Sequence, residues 1–253
     1  MDMEDRRSEI VSLVNREGSV SLTQLKVRFP DVSETTLRTD LKVLDGQRLI
    51  IRVHGGAKSV GFAIGTDDLL VNRSARRSQE KLEIANKAVR LIRENTTIYM
   101  DSGSSTTALA SVMPDLRLYV FTNSLTVANE LARLEKVTTY IVGGRLNISS
   151  MSTAGGTTIE KVSTLGFDQL FLGVTGLTRH AGFTCGSDDE AVLKRTLVQN
   201  ASDTVVLMDS SKVGRQFTFP ICRLGDVDTV VTDAEGLDGE LPSVCSSAGV
   251  TLL

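Results

Sequence analysis

Thr97-Ile98-Tyr99-Met100-Asp101-Ser102-Gly103-Ser104-Ser105-Thr106 reads as a short strand apolar on both faces, followed by a polar, glycine-containing loop that opens a helix. Upstream, Leu82, Ala85, Val89 and Ile92 fall at helical spacing. Downstream, apolar runs at 118–121, 139–142, 169–172, 204–208 and 229–231 alternate with helical segments. Strands apolar on both faces and separated by helices predict an α/β fold with a largely parallel sheet covered on both sides. A ligand site is then expected at the carboxyl ends of the strands.

Four of those ends carry the same kind of chemistry. Met100 is followed by the Asp101 to Thr106 loop and residue 121 by Thr122-Asn123-Ser124, while Gly143-Gly144-Arg145 and Asp209-Ser210-Ser211-Lys212 follow residues 142 and 208. In the first loop, Gly103 and the hydroxyls of Ser104, Ser105 and Thr106 combine backbone N–H groups, the positive end of a helix dipole and extra donors, which suits a phosphate. Lys212 adds a full positive charge. Serine and threonine at any one of these places also suit a plain helix cap, and it is their recurrence in register that points to a site. No GxxxxGK[ST] or GxGxxG occurs, so a smaller phosphate ester is expected rather than a nucleoside triphosphate or dinucleotide. The acidic run Asp188-Asp189-Glu190 reads equally as catalytic or as favourable charge at the start of the helix that carries Lys194. His180 reads as a loop residue.

The amino-terminal part has a different character. Ile10, Val11, Leu13 and Val14 form a first helical stripe closed by Gly18, and Ser21-Leu22-Thr23-Gln24 matches a capping box for a second helix that buries Leu22, Leu25 and Phe29 before Pro30. A third starts at Ser33, buries Leu37, Leu41 and Leu44, and so turns Thr35, Thr39 and Lys42 outward with Arg38 at the flank. Residues 49–53 and then His54-Gly55-Gly56 predict a hairpin with basic residues near its tip. Three helices and a hairpin in this order are a winged helix-turn-helix. From Ser21 to Lys58 there are seven basic residues against four acidic ones (Asp31, Glu34, Asp40, Asp45), a net excess of three positive charges. A small helical domain with a solvated basic face would show the same excess.

Over the whole chain of 253 residues the net charge is -3, with 41% hydrophobic and 23% charged residues, the composition of a globular protein rather than a disordered or fibrous one. The longest apolar runs are far shorter than the roughly 20 residues of a membrane helix. The charged start of the chain lacks the apolar core of a signal peptide, which predicts a cytoplasmic protein without a membrane partner. Cys185, Cys222 and Cys245 are odd in number and form no CxxC pair, so free thiols are expected and no metal site. No cofactor is expected either. The domain reading is 1–58 for the winged helix-turn-helix, 59–78 for a linker containing Gly61, Gly65 and the arginines from Arg73 to Arg77, and 79–253 for the α/β domain.

Taken together, these residues resemble the DeoR family of bacterial transcriptional regulators along nearly the whole chain. The resemblance is carried by Val32-Ser33-Glu34-Thr35-Thr36-Leu37-Arg38-Thr39-Asp40-Leu41 with Arg52-Val53-His54-Gly55-Gly56-Ala57, by Asp101 to Thr106, by Thr122-Asn123-Ser124, Gly143-Gly144 and Lys194, and by Asp209 to Lys212 with Gly214. Thr39 stands where the family usually has a second arginine, and Cys185 where it tends to have threonine. The resemblance implies a DNA-binding domain, a Rossmann-like sensor domain similar to ribose-5-phosphate isomerase and glucosamine-6-phosphate deaminase, and a repressor that forms homo-oligomers.

The function expected is therefore repression of a carbohydrate-metabolism operon under control of a phosphorylated sugar, with double-stranded operator DNA as partner and no catalytic residues. Ser33, Thr35, Thr36, Arg38, Thr39, Lys42, Arg52 and His54 are the expected DNA contacts. Asp101, Ser102, Gly103, Ser104, Ser105, Thr106, Thr122, Asn123, Gly143, Gly144, Lys194 and Lys212 are the expected effector contacts, with Asp101 and Asn123 as partners for sugar hydroxyls and the two lysines as cations. A sugar-phosphate isomerase or deaminase is the alternative, because the sensor fold alone permits it.

Overall fold

A computed structural model describes residues 2–59 and 69–253 of the chain. Helix α1 (Met3–Glu17) starts at Asp2, whose side chain accepts the N–H of Asp5, and stops at Gly18, whose φ of 78° ends the helical path. Strand β1 (Ser19–Ser21) follows directly, and Ser21 and Gln24 complete the reciprocal capping box of α2 (Leu22–Arg28). The turn after α2 is held by the Lys26 ammonium, which donates to the carbonyls of Pro30 at 2.7 Å and Val32 at 2.9 Å. Helix α3 (Glu34–Gly46) is capped by Ser33. Strands β2 (Ile51–Val53) and β3 (Gly56–Lys58) form the expected hairpin, closed by His54 and Gly55.

Two features of this part were not foreseen. Strand β1 pairs antiparallel with β3, so the hairpin belongs to a three-stranded sheet in the order β1-β3-β2. Three residues wedged between two helix caps are too few to show alternation. The pairing brings backbone against backbone so closely that a Cβ on Gly56 would lie 2.1 Å from the Val20 carbonyl oxygen. Within the stretch expected to be a linker, Leu70–Ala75 forms helix α4, with Leu70 buried and the helix in contact with α1. One apolar anchor gives no periodicity to read. Gly61 and Gly65 lie outside the described residues. Ile10, Val14, Leu25, Phe29, Leu37, Leu41, Leu44 and Ile50 make the core.

The chain divides into two compact units, Met1–Arg76 and Arg77–Leu253. The second begins with α5 (Ser78–Ala88) and builds its main sheet from β4 (Thr97–Met100), β5 (Leu118–Thr122), β6 (Val137–Ile141), β9 (Gln169–Gly173), β12 (Thr204–Leu207), β14 (Thr229–Val231) and β15 (Thr251–Leu252). These seven strands are all parallel, in the order β15-β14-β12-β9-β4-β5-β6. Helices α5, α6 (Ser104–Val112) and α7 (Leu125–Leu131) cover the face that carries Ile98 and Met100. The Tyr99 face is covered by α8 (Gly156–Ser163), α9 (Asp188–Asn200) and α11 (Leu241–Ala248), which follows the short α10 (Ala234–Leu237). An antiparallel pair, β7 (Arg145–Asn147) with β8 (Ser152–Ala154), and a small sheet of β10 (Gly176–Thr178), β11 (Gly182–Cys185) and β13 (Phe219–Cys222) complete the unit.

In α5 the expected stripe is displaced. Leu82 is exposed, and the buried side is Lys81, Ile84, Ala85 and Ala88. The helix ends at Ala88 in a 3-10 turn, Val89–Leu91, and Val89 and Ile92 still pack, partly buried, against the same core. From the interior strand β4 the chain runs outward through β5 and β6, then returns to β9 on the other side of β4 and continues through β12, β14 and β15. The switch point is thus between β4 and β9, and sheets of this kind bind ligands outside the carboxyl ends of their strands at such a point.

Candidate functional site

At that switch point Asp101 follows β4 directly, and its N–H donates to the Phe171 carbonyl of β9 at 3.0 Å. Its carboxylate is fully buried. Oδ2 accepts from the N–H of Gly173 at 3.1 Å and lies 2.9 Å from Nζ of Lys194, which reaches in from α9. Lys194 also lies 2.7 Å from Oε1 of Glu190, one turn earlier, and donates to the Gly173 carbonyl at 2.5 Å. Burial works against the Lys194 charge, but the two carboxylates outweigh it and hold the ammonium protonated well above its usual range. Burial pushes the Asp101 carboxyl up against the pull of Lys194. Oδ1 of Asp101 has no hydrogen-bond partner and is buried.

The loop after Asp101 opens α6 through Gly103, which has a φ of 154° and offers no side-chain cap. The N–H groups of the first turn are therefore not capped by a side chain, and Ser104 and Ser105 flank them half-buried. Ser102 is buried, and the hydroxyls of Thr106 and Thr107 turn back to donate to the Gly103 carbonyl. Thr122 and Asn123 are occupied by the scaffold. The Thr122 hydroxyl accepts from the N–H of Ser124 at 3.0 Å, while the Asn123 amide takes the Tyr99 hydroxyl at 3.1 Å and donates to the Thr153 carbonyl at 2.9 Å. Gly143 accepts from the Thr158 hydroxyl, and Gly144 packs so close that a Cβ would meet that oxygen at 2.0 Å.

On the β9 side of the switch point, after β12, lies the turn Ser210–Lys212. Asp209 before it is buried, which disfavours its charge, but Lys212, a hydrogen bond from Ser211, Lys81 and Arg77 together hold its carboxyl below the usual range. Lys81 escaped the sequence reading, and Arg77 was read only as one of the linker arginines. The signal for Lys81 was its place in the Lys81/Ile84/Ala85/Ala88 stripe, because a lysine on a buried helix face needs a partner. Of the acidic run, Glu190 pairs with Lys194 and Asp189 with Arg145 at 2.9 Å, which accounts for both as ion pairs. Among the described residues no group of His, Cys, Asp and Glu is placed to hold a metal, and no helix is long and apolar enough to cross a membrane.

In the other unit α3 turns Thr35, Arg38, Thr39 and Lys42 to solvent, and Arg52 and His54 are exposed on the hairpin. A cleft of about 410 Å³ separates the two, lined by Arg38 and Leu41 on one side and by residues Arg52 to Gly56 on the other. Ser33 and Thr36 share a hydroxyl contact of 2.8 Å at the start of α3, and the Thr39 hydroxyl donates to the Thr35 carbonyl. Arg38 is paired loosely with Glu34, 3.6 Å away. Asp40, counted among the acidic residues of this module, faces inward. Its two oxygens each lie 2.7 Å from a guanidinium nitrogen, of Arg6 and Arg7, so it does not offset the basic charge of the exposed face.

Comparison with known proteins agrees with both halves. The family model described as DeoR-like helix-turn-helix domain matches residues 6–61, and the DeoR C terminal sensor domain matches residues 76–234. The chain is 32% identical to the HTH-type transcriptional regulator FruR of Bacillus subtilis over 92% of each chain. It is 31% identical to the glycerol-3-phosphate regulon repressor of Escherichia coli, again over 92% of each. With the lactose phosphotransferase system repressor of Staphylococcus epidermidis it shares 30% identity over 94% of this chain and 95% of the relative. With its helix-turn-helix and its sensor domain both matched, the chain belongs to the DeoR family of transcriptional regulators.

Proposed function

We propose that the protein is a repressor of a carbohydrate-metabolism operon that binds operator DNA through α3 and the hairpin and responds to a phosphorylated sugar held at the switch point of its parallel sheet. The observation that carries this reading is the pairing, in one chain, of an exposed hydroxyl-and-cation helix face beside a basic hairpin with polar loops at the strand ends of the switch point. Ser33, Thr35, Thr36, Arg38, Thr39, Lys42, Arg52 and His54 form the DNA face, with phosphates and base edges as their targets.

In the sensor the phosphate is assigned to the first turn of α6, with Ser104, Ser105 and Lys212. Asp101, with one carboxylate oxygen lacking a partner, is the acceptor for a sugar hydroxyl. Lys194 holds Asp101 in place and does not serve as a cation for the ligand, because its contacts to Asp101, Glu190 and Gly173 use its three donors. Thr122, Asn123, Gly143 and Gly144 shape the wall of the site. The sensor binds its effector without turning it over, and the protein works as a homo-oligomer on repeated half-sites.

The test is a thermal-shift screen against phosphorylated sugars, paired with operator binding and turnover assays. A ligand at 100 times its dissociation constant adds about 2.7 kcal/mol to stability. The reading requires a ligand that stabilises the protein, changes operator affinity and is recovered unaltered. Isomerisation or deamination at enzymatic rates overturns it in favour of the enzyme.

A further inference from the structure

Arg77 is the first residue of the sensor unit, and its backbone sits in the left-handed region, at φ 49° and ψ 44°, between α4 and α5. A non-glycine residue adopts this conformation rarely and keeps it only where its surroundings over-determine it. Here the guanidinium supplies the restraint. Nε donates to Glu80 at 3.0 Å, and Nη2 donates to Glu235 and lies 3.5 Å from Oδ2 of Asp233.

The two carboxylates beyond Arg77 are shared with the effector loop. The N–H of Ser210 donates to Oδ1 of Asp233 at 3.0 Å, and its hydroxyl lies 3.1 Å from both Oδ2 of Asp233 and Oε2 of Glu235. Ser210 opens the turn that carries Lys212. One ion-pair network therefore joins the residue at which the chain enters the sensor to the loop assigned to the ligand phosphate. The charges facing it are Glu80 and Lys81 from α5, Asp209 and Lys212 from the loop, and Asp233 and Glu235 at the start of α10.

We propose that Arg77 is a ligand-controlled latch: clamped to Asp233 and Glu235 when the site is empty, and released when a phosphorylated ligand engages Lys212 and the first turn of α6. The inference rests on the sensor-site reading above. A phosphate near Lys212 competes with Asp233 and Glu235 for the Arg77 guanidinium, so a ligand that draws the guanidinium off the carboxylates and onto itself binds the unlatched arrangement better. That difference is what a ligand needs in order to shift an equilibrium. Release frees the left-handed turn at 76–78, the covalent path from the sensor to the DNA-binding unit.

Amide hydrogen exchange of the full chain over residues 74–80 reads the latch directly, with inorganic phosphate and glycerol 3-phosphate as probes and thermal shift run in parallel. In the native protein a probe that raises the melting temperature should speed exchange in this segment severalfold. Glu235→Gln, an exposed substitution, should show fast exchange without any probe and little further change with one, and its operator affinity with and without the probe should become nearly equal. The latch is overturned if a stabilising probe leaves exchange at 74–80 unchanged, or if Glu235→Gln exchanges like the native protein. If neither these probes nor any other sugar phosphate raises the melting temperature, the sensor-site reading fails and the latch falls with it.

Discussion

Nζ of Lys194 lies 2.9 Å from Oδ2 of Asp101, with both side chains excluded from solvent, so a single ion pair ties α9 to the carboxyl end of β4 at the switch point. Such a pair gains little over a well-packed apolar alternative, yet removing one partner strands a buried charge.

Lys194→Met is therefore expected to destabilise the sensor by about 3–5 kcal/mol. The double variant Lys194→Met with Asp101→Asn should recover much of the loss, because the fully buried carboxylate is gone and only Glu190, which reaches solvent, is left without the lysine. Urea denaturation of the two variants checks this; equal losses would show that packing of the lysine stem, and not the charge, is what matters.

Asp209 gives the acid side of the stability profile. Its carboxyl is held below the ordinary 3.8 by Lys212, Ser211, Lys81 and Arg77 despite burial, so the unfolded chain binds its proton first as pH falls. The stabilisation is complete above that ordinary value and disappears as pH drops through the lower folded value. Asp209→Asn should cost stability at neutral pH and flatten the decline below pH 3.8, which melting temperatures across an acid series will show.

On α3, Arg38→Ala should weaken operator binding by roughly 1–3 kcal/mol, the range of a good base contact, while leaving the melting temperature unchanged. Arg38 is exposed and only loosely paired with Glu34. Titrations at several salt concentrations would place it: a uniform loss across sequences with a shallower salt slope marks a phosphate contact instead.

Asp40→Ala should weaken operator binding by a different route. The substitution leaves Arg6 and Arg7 without their shared acceptor and should cost roughly 1.5–3 kcal/mol of stability in the DNA-binding unit. Loss of operator binding with an unchanged melting profile would move Asp40 from the scaffold to the DNA interface.

Lys212→Ala should bind operator normally in the absence of effector and fail to respond to it. Operator titrations with and without the stabilising sugar phosphate measure both quantities. A normal response would remove Lys212 from the phosphate site.

What the sequence determined alone was local. The caps at Gly18, Ser21 and Ser33 and the buried Leu37, Leu41 and Leu44 follow from the backbone's need to satisfy its helix ends and from the helical period. The core strands of the sheet were legible because a strand buried on both faces must be apolar throughout, whereas β1 and β15 are too short to carry a pattern. Polar residues at seams were decided only by tertiary structure. Nothing near Asp40 in sequence marks Arg6 and Arg7 as its partners, and nothing near Lys194 marks Asp101 as its own. A charge takes its role from what lies within a few ångströms of it, and in a sheet whose order departs from chain order those neighbours come from distant segments.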